Sequence, residues 1–281
     1  MPASSINARG YQGVGIGLRS THYQTILADR PDVPWFEALT DNYMNEGGYP
    51  LHYLEKIRAH YPITFHGVGL SLGGHDPLDI DYIRRLKDLR SRFEPIHFSD
   101  HLCWTSHNGM HSNDLLPMPY TQDAVRHIAE RIDAVQNILG EKILVENVSS
   151  YLNYKMSDRS EAEFFAEVAN ESDCLILCDI NNIYVSAKNH GFDAVDYLNL
   201  IPGNRITELH LAGYEDQGEY LLDTHGEAVH APVWSLYEKA LGLFGTIPTL
   251  LEWDTNIPEF SVLMQEQRRA KSYWPQKGTS A

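Results

Sequence analysis

The sequence predicts a single-domain α/β protein with a (β/α)8 barrel fold, also called a TIM barrel. Eight apolar or β-branched runs of strand length occur along the 281 residues, and stretches with helical periodicity separate them. This alternation is typical of a parallel sheet covered by helices, and eight repeats in a chain of this length fit a closed barrel. Because no composition shift, low-complexity run or repeat indicates a second domain, we expect one domain over residues 1–281.

The strand candidates are short apolar runs that end at polar or glycine-containing segments. In chain order they are GVGIGL from Gly13, WFEALT from Trp35, ITFHGVGL from Ile63, PIHFSDHL from Pro95, KILVENV from Lys142, CLILCDI from Cys174, ITELHLAG from Ile206 and TLLEWD from Thr249. They place the core of the barrel at about residues 13–258.

The clearest helix candidate is TQDAVRHIAERIDAVQNILG, in which Thr121 can cap the first turn. Its apolar positions form one stripe, made of Ala124, Ile128, Ile132, Val135 and Leu139. Similar patterns predict helices over residues 160–170 and 233–243, and a C-terminal helix over about residues 258–274.

A doubly wound sheet is the main alternative to the barrel. Dinucleotide-binding sheets of that kind carry the spacing G-x-G-x-x-G after their first strand. GVGIG near the start and GVGLSLGG from Gly67 both lack this spacing. We therefore interpret their glycines as strand and turn residues.

Charge and hydropathy argue against two classes of partner. The formal net charge is −16, and the chain lacks the clustered Lys and Arg that neutralise nucleic-acid phosphates. No window approaches the roughly 20 apolar residues of a membrane span, and the first twenty residues hold no stretch typical of a signal peptide. The sequence predicts a cytoplasmic protein that binds neither nucleic acid nor membranes. The excess negative charge indicates either a solvated acidic surface or buried carboxylates that bound cations neutralise.

Cys174 and Cys178 are predicted to be reduced residues of the core. They lie four positions apart in one strand candidate, and four extended residues span about 13 Å, which is too far for a disulfide.

Six consecutive strand candidates end in a histidine or a carboxylate, each at the point where the apolar run is expected to give way to a loop. These residues are His66, His101, Glu146, Asp179, His210 and Glu252. A barrel directs the carboxyl ends of its strands to one mouth, so we expect the six side chains to meet there. Unpaired carboxylates gathered in one place repel one another and lose hydration unless cations compensate them. The pattern therefore predicts a metal centre.

The segment TELHLAGYEDQGEYLLDTHG, residues 207–226, adds two further candidate ligands. Asp223 and His225 lie two positions apart, so they can face the same side of an extended loop and hold one ion, while His210 reaches a neighbouring ion. Glu146 can bridge two ions through its two oxygens. Nitrogen and oxygen ligands suit iron, manganese or zinc, and the number of ligands favours three ions over two.

Several long motifs of the chain resemble a known enzyme family. The motifs are HGVGLSLGG, SDHL, VENVSSYL, CDINNIYVSAKNHG, ELHLAG, DTHG and LLEWDTNIP. Between about Gly13 and Pro258 the chain is similar to the multinuclear non-heme iron-dependent oxidative enzymes, typified by the iron oxidase of methanobactin biosynthesis. A more distant similarity extends to xylose-isomerase-like barrels, including the tri-zinc apurinic endonucleases.

The resemblance implies a ligand set for three irons. The first iron would be held by His66, His101 and Glu146, the second by Glu146, Asp179, His210 and Glu252, and the third by Asn182, Asp223 and His225. His97 and His101 face the same side of the strand candidate, so both are possible ligands. The family motif is Ser-Asp-His-Leu, so His101 is preferred as the metal ligand. The family usually carries Arg where this chain has Trp253.

The resemblance also implies a reaction and its participants. It implies oxidation of a cysteine in a ribosomally made precursor peptide by O2, at two or three iron ions of mixed ferrous and ferric state. A partner protein that recognises the peptide leader is implied as well. The alternatives are a metal-dependent hydrolase or isomerase on the same barrel, of the apurinic-endonuclease or sugar-isomerase type, and a protein that only buffers metal.

Two residues of the predicted site have two interpretations each. Asp254, two residues beyond Glu252, is predicted as a catalytic acid, base or positioning group beside Glu146, because alternate strand positions face the same side. The alternative for Asp254 is a turn or cap role before Pro258. Asn182 is either a weak amide ligand, which would make the third ion the most labile, or a cap of the following turn.

Overall fold

Eight parallel strands close into a barrel in the computed structural model, which describes residues 11–45 and 47–275. In chain order the barrel strands are β1 (Val14–Gly17), β2 (Phe36–Leu39), β3 (Ile63–Gly67), β4 (Phe98–His101), β5 (Leu144–Glu146), β6 (Leu175–Asp179), β7 (Ile206–Leu211) and β8 (Thr249–Leu251). Each strand pairs with its neighbours in chain order, and β8 pairs with β1 to close the barrel. The predicted (β/α)8 fold and all eight strand candidates are confirmed.

Helices cover the outside of the barrel. They are α1 (Tyr23–Asp29), α2 (Tyr49–Arg58), α3 (Ile80–Phe93), α4 (Gln122–Leu139), α5 (Glu161–Ser172), α6 (Ile180–His190), α7 (Ala194–Leu200), α8 (Ala231–Phe244) and α9 (Phe260–Ser272). In the described part of the chain, none of them is long and apolar enough to cross a membrane. The predicted limits of the domain, residues 1–281, include residues 1–10 and 276–281, which lie outside the described residues.

Helix α4 begins as the sequence predicts. The Thr121 hydroxyl accepts a hydrogen bond from the Ala124 amide at 3.3 Å, which satisfies a donor that the first turn leaves free. Ala124 itself is only partly buried, because the buried face of the helix is centred on Val125 and Ala129 instead. The predicted stripe is otherwise correct.

Two short hairpins were not predicted. One pairs Trp104–His107 with Met110–Leu116, directly after β4, and the other pairs Glu215–Asp216 with Leu221–Leu222, after β7. Asn108 and Gly109 turn the first hairpin, and both have positive φ, which an Asn-Gly pair adopts readily. The carboxylate of Asp76 accepts hydrogen bonds from both of their amides at 3.0 and 3.1 Å. The hairpin therefore has a local sequence signal and an anchor outside itself.

Apolar side chains fill the space between the barrel and the helices, whereas polar groups occupy much of the barrel interior. Cys174 and Cys178 belong to the apolar layer and are buried and free, as predicted. Inside the barrel, the ring of Trp35 lies against β1 at Gly15, where an added Cβ would approach it to 2.5 Å. Glycine at this position lets a large ring enter the bottom of the barrel.

Candidate metal centre

Three side chains from neighbouring strands converge at the carboxyl end of the barrel. The Nε2 atoms of His66 and His101 each lie 3.2 Å from Oε2 of Glu146, and 3.2 Å from each other. The opposite nitrogens are already engaged, because Nδ1 of His66 lies 2.8 Å from the Ser99 hydroxyl and Nδ1 of His101 lies 3.1 Å from the carbonyl of Gly67. Both Nε2 atoms are thus directed at the same point as the carboxylate, and a cation there would meet three ligands.

A second group of ligands shares Glu146 with the first. Oε1 of Glu146 lies 3.7 Å from Nδ1 of His210, and Oε2 of Glu252 lies 3.0 Å from the same nitrogen. Potential ligand atoms of Glu146, Asp179 and His210 all lie within 4.8 Å of one another. The two oxygens of Glu146 therefore face different clusters, which is the geometry of a bridging carboxylate.

A third group forms around His225. Its Nε2 lies 2.7 Å from Oδ1 of Asp223, and its Nδ1 lies 3.4 Å from Oε2 of Glu252. Ligand atoms of Asp179, His225 and Glu252 lie within 4.8 Å of one another. Asp223 and His225 meet as expected, but not from an extended loop, since His225 has a φ of 46°. The turned backbone brings the imidazole back toward both acidic neighbours.

Asn182 lies beside this third group at the start of α6. Its backbone N–H donates to Oδ1 of Asp179 at 2.6 Å, and its side-chain Nδ2 donates to the backbone carbonyl of Asn147 at 3.1 Å. Its Oδ1 is buried without a hydrogen-bond partner. Asn181 instead donates to Oδ1 of Asp223 at 2.8 Å. Asn182 thus takes part in the cap and still has an unused oxygen, so its role as a ligand stays a prediction.

Asp179 connects β6 to α6 without a loop. It is the last residue of the strand and the N-cap of the helix, which begins at Ile180. The sequence suggested that a loop follows each candidate ligand, and at this position that expectation is wrong. Direct capping holds Oδ1 of Asp179 on the Asn182 amide, while its Oδ2 is buried without a hydrogen-bond partner.

The pKa values of the buried carboxylates in the centre are shifted in opposite directions. Burial raises the pKa of Glu146 well above its usual range, and it raises the pKa of Asp179 to about 6. Burial also opposes ionisation of Glu252, but His225 and His210 outweigh it and hold the pKa of Glu252 well below its usual range. The centre therefore contains carboxylates that differ in how readily they ionise. Bound cations would stabilise the ionised form of every one of them, so the group is suited to metal ions.

The histidines of the first group are predisposed to act as neutral ligands. Burial lowers the pKa of His66 well below its usual range and that of His101 to about 4. Neutral imidazole presents a lone pair at the nitrogen that carries no hydrogen, which is the form that binds metal. Together with the unpartnered oxygens of Glu146, Asp179 and Asn182, this chemistry fits bound metal ions.

Asp254 lies at the edge of the centre and is partly exposed. Strand β8 ends at Leu251, so the argument from strand parity does not apply to Asp254. The loop nevertheless places its Oδ2 3.2 Å from Nδ1 of His225, and its Oδ1 forms an ion pair with Arg19. Asp254 therefore faces the candidate metal ligands, as predicted, for a different structural reason.

Arg19 is a functional candidate that sequence reasoning missed. It follows β1, and its buried guanidinium lies 3.7 Å from Oε1 of Glu252 as well as against Asp254. Gly17 leaves room for it, because an added Cβ there would lie 3.0 Å from the guanidinium. Arg19 directly follows the apolar run GVGIGL, so a charged residue at the end of the first strand candidate was the available signal.

A polar layer below the centre was also missed. Glu37 and Glu208 are completely buried in the barrel, and the ligand atoms of both lie within 4.8 Å of those of His210. His97 lies in this lower layer, with Nε2 2.7 Å from Oε2 of Glu208, whereas His101 lies at the mouth. A charged residue in the middle of an apolar strand was the available signal for Glu37 and Glu208.

A cavity of about 780 Å³ opens above the centre. Its floor includes His66, His101, Asn182, His225, Glu252 and Asp254. One wall is the hairpin after β4, through Thr105, Ser106 and His111, and Tyr151, from the loop after β5, also lines the cavity. The candidate ligands are therefore accessible to a molecule that enters from the mouth.

The fold is a TIM barrel, and the site at its mouth consists of buried His, Asp and Glu side chains that could hold metal ions. Residues 13–274 match the family described as RiPP precursor modification enzyme MbnB/TglH/ChrH, where RiPP denotes a ribosomally synthesised and post-translationally modified peptide. The chain belongs to this family. It is 55% identical to a UPF0276 protein of Acaryochloris marina over 93% of this chain and 95% of the relative, and 53% identical to one of Anaeromyxobacter sp. over 92% and 91%.

Solved structures with the same fold are much more distant in sequence. The 3-keto-D-glucoside 4-epimerase of E. coli superposes with a TM-score of 0.61 at 11% identity, covering 93% of this chain and 99% of its own. Endonuclease IV of Thermus thermophilus gives a TM-score of 0.60 at 13% identity, covering 93% and 98%. At these identities the likeness shows the barrel fold alone.

Proposed function

We propose that this protein is a multinuclear non-heme iron enzyme that uses O2 to oxidise a cysteine of a ribosomally synthesised precursor peptide. The observation that carries the proposal is the position of Glu146, whose two oxygens face two adjacent groups of nitrogen and oxygen ligands. Two adjacent groups of candidate metal ligands at the base of an open cavity, in a family described as RiPP precursor modification enzymes, support the proposal that bound metal would supply redox chemistry to a peptide.

The residues that would hold iron form three overlapping groups. The first is His66, His101 and Glu146, the second is Glu146, Asp179, His210 and Glu252, and the third is Asp223 and His225 with Asn182 or with the shared carboxylates Asp179 and Glu252. Iron supplies the one-electron chemistry that reaction with O2 requires. We propose two or three ions, the third of them the most weakly held.

Asp254 is proposed to hold or move a proton beside the reacting cysteine. Its carboxylate lies in the cavity, and it is fixed from two sides, by Arg19 and by Nδ1 of His225. A carboxylate held in this way cannot turn away from a bound peptide, which keeps its proton-transfer geometry constant.

The rim of the cavity is suited to a peptide backbone and its side chains. Met110, in the hairpin that forms one wall, is 71% exposed. Tyr220 is 47% exposed and packs at 6.3 Å against Tyr151, which lines the cavity. These two side chains lie in the hairpins that follow β4 and β7. We propose that the precursor peptide crosses this rim and that a partner protein, which recognises the leader, delivers it.

Metal analysis and oxygen consumption test the proposal together. After anaerobic expression in iron-rich medium, the protein should contain more than one iron per chain. It should consume O2 when mixed with a cysteine-containing precursor peptide, but not with the same peptide carrying serine instead. Activity supported by stoichiometric zinc, without O2 uptake, would contradict the iron-oxidase proposal and indicate a hydrolytic or isomerising enzyme.

A further inference from the structure

The two nitrogens of His210 face different pairs of carboxylates. Nδ1 faces the mouth of the barrel, where it lies 3.0 Å from Oε2 of Glu252 and 3.7 Å from Oε1 of Glu146. Nε2 faces the polar layer below, where it lies 3.3 Å from Oε1 of Glu208 and 3.6 Å from Oε2 of Glu37. The upper pair belongs to the candidate metal centre and the lower pair does not. A neutral imidazole carries one hydrogen, so the choice of nitrogen decides whether His210 can bind metal.

Hydrogen bonds hold Glu208 in place with one of its oxygens facing Nε2 of His210. It precedes His210 by two residues on β7 and is completely buried. Its Oε2 accepts hydrogen bonds from the Tyr11 hydroxyl and from Nε2 of His97, both at 2.7 Å. With Oε2 fixed by two donors, Oε1 remains directed at His210. Glu37 is at a longer distance from His210, and its Oε2 accepts from the Thr64 hydroxyl at 3.3 Å.

We propose that Glu208 is the positioning residue of the metal centre: it accepts the Nε2 hydrogen of His210 and so commits Nδ1 to the metal ion shared with Glu146 and Glu252. The inference rests on the metal-binding part of the proposed function and requires neither iron nor the peptide. Carboxylates that accept the second hydrogen of a histidine ligand fix its tautomer and raise its basicity. Tyr11 and His97 extend the network by orienting Glu208.

The lower layer could alternatively hold an ion of its own, because Glu37, Glu208 and His210 have ligand atoms within 4.8 Å of one another. The contacts of Glu208 favour the positioning role. Its Oε2 already has two donors, and its Oε1 is at hydrogen-bond distance from Nε2 of His210. An ion among these atoms would have to replace the hydrogen that His210 donates.

Matched substitutions in the two lower carboxylates test the inference. Glu208→Gln keeps the shape and can still accept from Tyr11 and His97, but its amide then donates toward Nε2 and favours the hydrogen on Nδ1, facing the metal. Glu37→Gln changes the second carboxylate of the same layer, whose Oε2 lies farther from Nε2 of His210, at 3.6 Å. Metal-free wild type and both variants are titrated anaerobically with Fe2+ and, in parallel, with Co2+, whose absorption spectrum reports its ligands.

Glu208→Gln should weaken one metal position about 10–100-fold, as loss of such an outer partner does elsewhere, and should change the Co2+ spectrum. Glu37→Gln should bind nearly as wild type does. Tyr11→Phe, which removes one donor to Glu208 and keeps the ring, should weaken the same position by a smaller factor. This milder variant keeps the test decisive if Glu208→Gln does not fold.

Three results would overturn the inference. They are wild-type affinity in both Glu208→Gln and Tyr11→Phe, an equal loss in Glu37→Gln, or anomalous diffraction from an ion lying between Glu37, Glu208 and Nε2 of His210. A wild-type protein that binds Co2+ in the expected manner but neither retains iron nor consumes O2 would contradict the proposed function alone. The two failures are therefore distinguishable.

Discussion

At the scale of the residue, Glu146 lies between two groups of candidate metal ligands. Its Oε2 faces His66 and His101 on β3 and β4, while its Oε1 faces His210 on β7. The carboxylate is almost completely buried, so it cannot rotate into solvent to serve one group only. The occupancies of the two groups should therefore depend on one another.

Replacing Glu146 should empty two metal positions at once. Glu146→Gln exchanges a charged oxygen for an amide that binds metal weakly, and we expect affinity at both positions to fall more than about tenfold, since even outer-shell partners contribute that much. Metal content per chain and Mössbauer spectra measure the loss. Glu161→Gln serves as a control, because that carboxylate contacts Tyr197 and Tyr120 away from the centre. Loss of a single metal would show that Glu146 does not bridge.

Asp254 should matter for turnover more than for metal content. Asp254→Asn keeps the size of the side chain but removes its capacity to accept a proton, so we expect full iron content and a loss of peptide oxidation of about 100-fold or more. Rates of O2 uptake with the cysteine peptide provide the measurement. Asp114→Asn, another carboxylate on the cavity wall, is the control. Unchanged turnover in Asp254→Asn would refute the catalytic role.

At the scale of the element, the junction of β6 and α6 combines a helix cap with a metal site. Asp179 caps α6 through Oδ1, and the same turn places the free Oδ1 of Asn182 at the cavity. Capping groups are rigid because they satisfy backbone donors that would otherwise lack partners. The third group thus contains residues fixed at the start of α6, Asp179 and Asn182, and residues from a loop, Asp223 and His225.

The third ion should be the first to leave. A neutral amide oxygen is a poorer ligand for divalent metals than an imidazole, so mild chelation should remove one iron before the other two. Asn182→His should slow that loss several-fold. Iron release is followed with a coloured chelator in wild type and variant. Equal rates for all three ions in both proteins would show that ligand strength at residue 182 does not control lability.

At the scale of the whole molecule, the net charge of −16 is concentrated in part inside the barrel. Glu37, Glu146, Asp179, Glu208 and Glu252 are all buried there. Exposed acidic residues also cover the helices, so the negative charge lies both on the surface and inside the barrel. Neutralisation of the interior carboxylates by bound cations stays a prediction. The interior carboxylates make the stability of the metal-free protein dependent on pH.

The contribution of the buried carboxylates Glu37 and Asp179 to the stability of the metal-free protein should fall as the pH rises from about 5 to about 7.5. Burial raises the pKa of Glu37 to about 7 and that of Asp179 to about 6. Between their ordinary pKa and these values the folded state retains protons that the unfolded state has released, so stability falls with rising pH. The lowered pKa of Glu252 acts below this window.

Chemical denaturation of the metal-free protein at about pH 5 and about pH 7.5 measures this dependence. Glu37→Gln removes one of the responsible groups, so the variant should show a smaller difference between the two pH values. Added metal should oppose the loss at high pH, because cations stabilise the ionised carboxylates. A Glu37→Gln protein with the same or a steeper dependence would contradict the assignment.

The sequence by itself determined the barrel and most of its mouth. Strand-length apolar runs and helical stripes are local patterns, so β1 to β8 could be located without knowledge of their partners. Because the strands are parallel, their carboxyl ends share one side, and this placed His66, His101, Glu146, Asp179, His210 and Glu252 together. The Asn108-Gly109 turn also has a local sequence signal, although the hairpin was not predicted from it.

Only the tertiary structure decided which side chains form ion pairs and hydrogen bonds with one another. Arg19 pairs with Asp254 across 235 residues of sequence, because the barrel closes by pairing β1 with β8. His97 is joined to Glu208 across 111 residues, one layer below the ligands, and parity could not separate this layer from the mouth. Periodicity specifies the direction of a side chain but not its depth in the barrel. Depth depends on strand register and closure, which are properties of the assembled sheet.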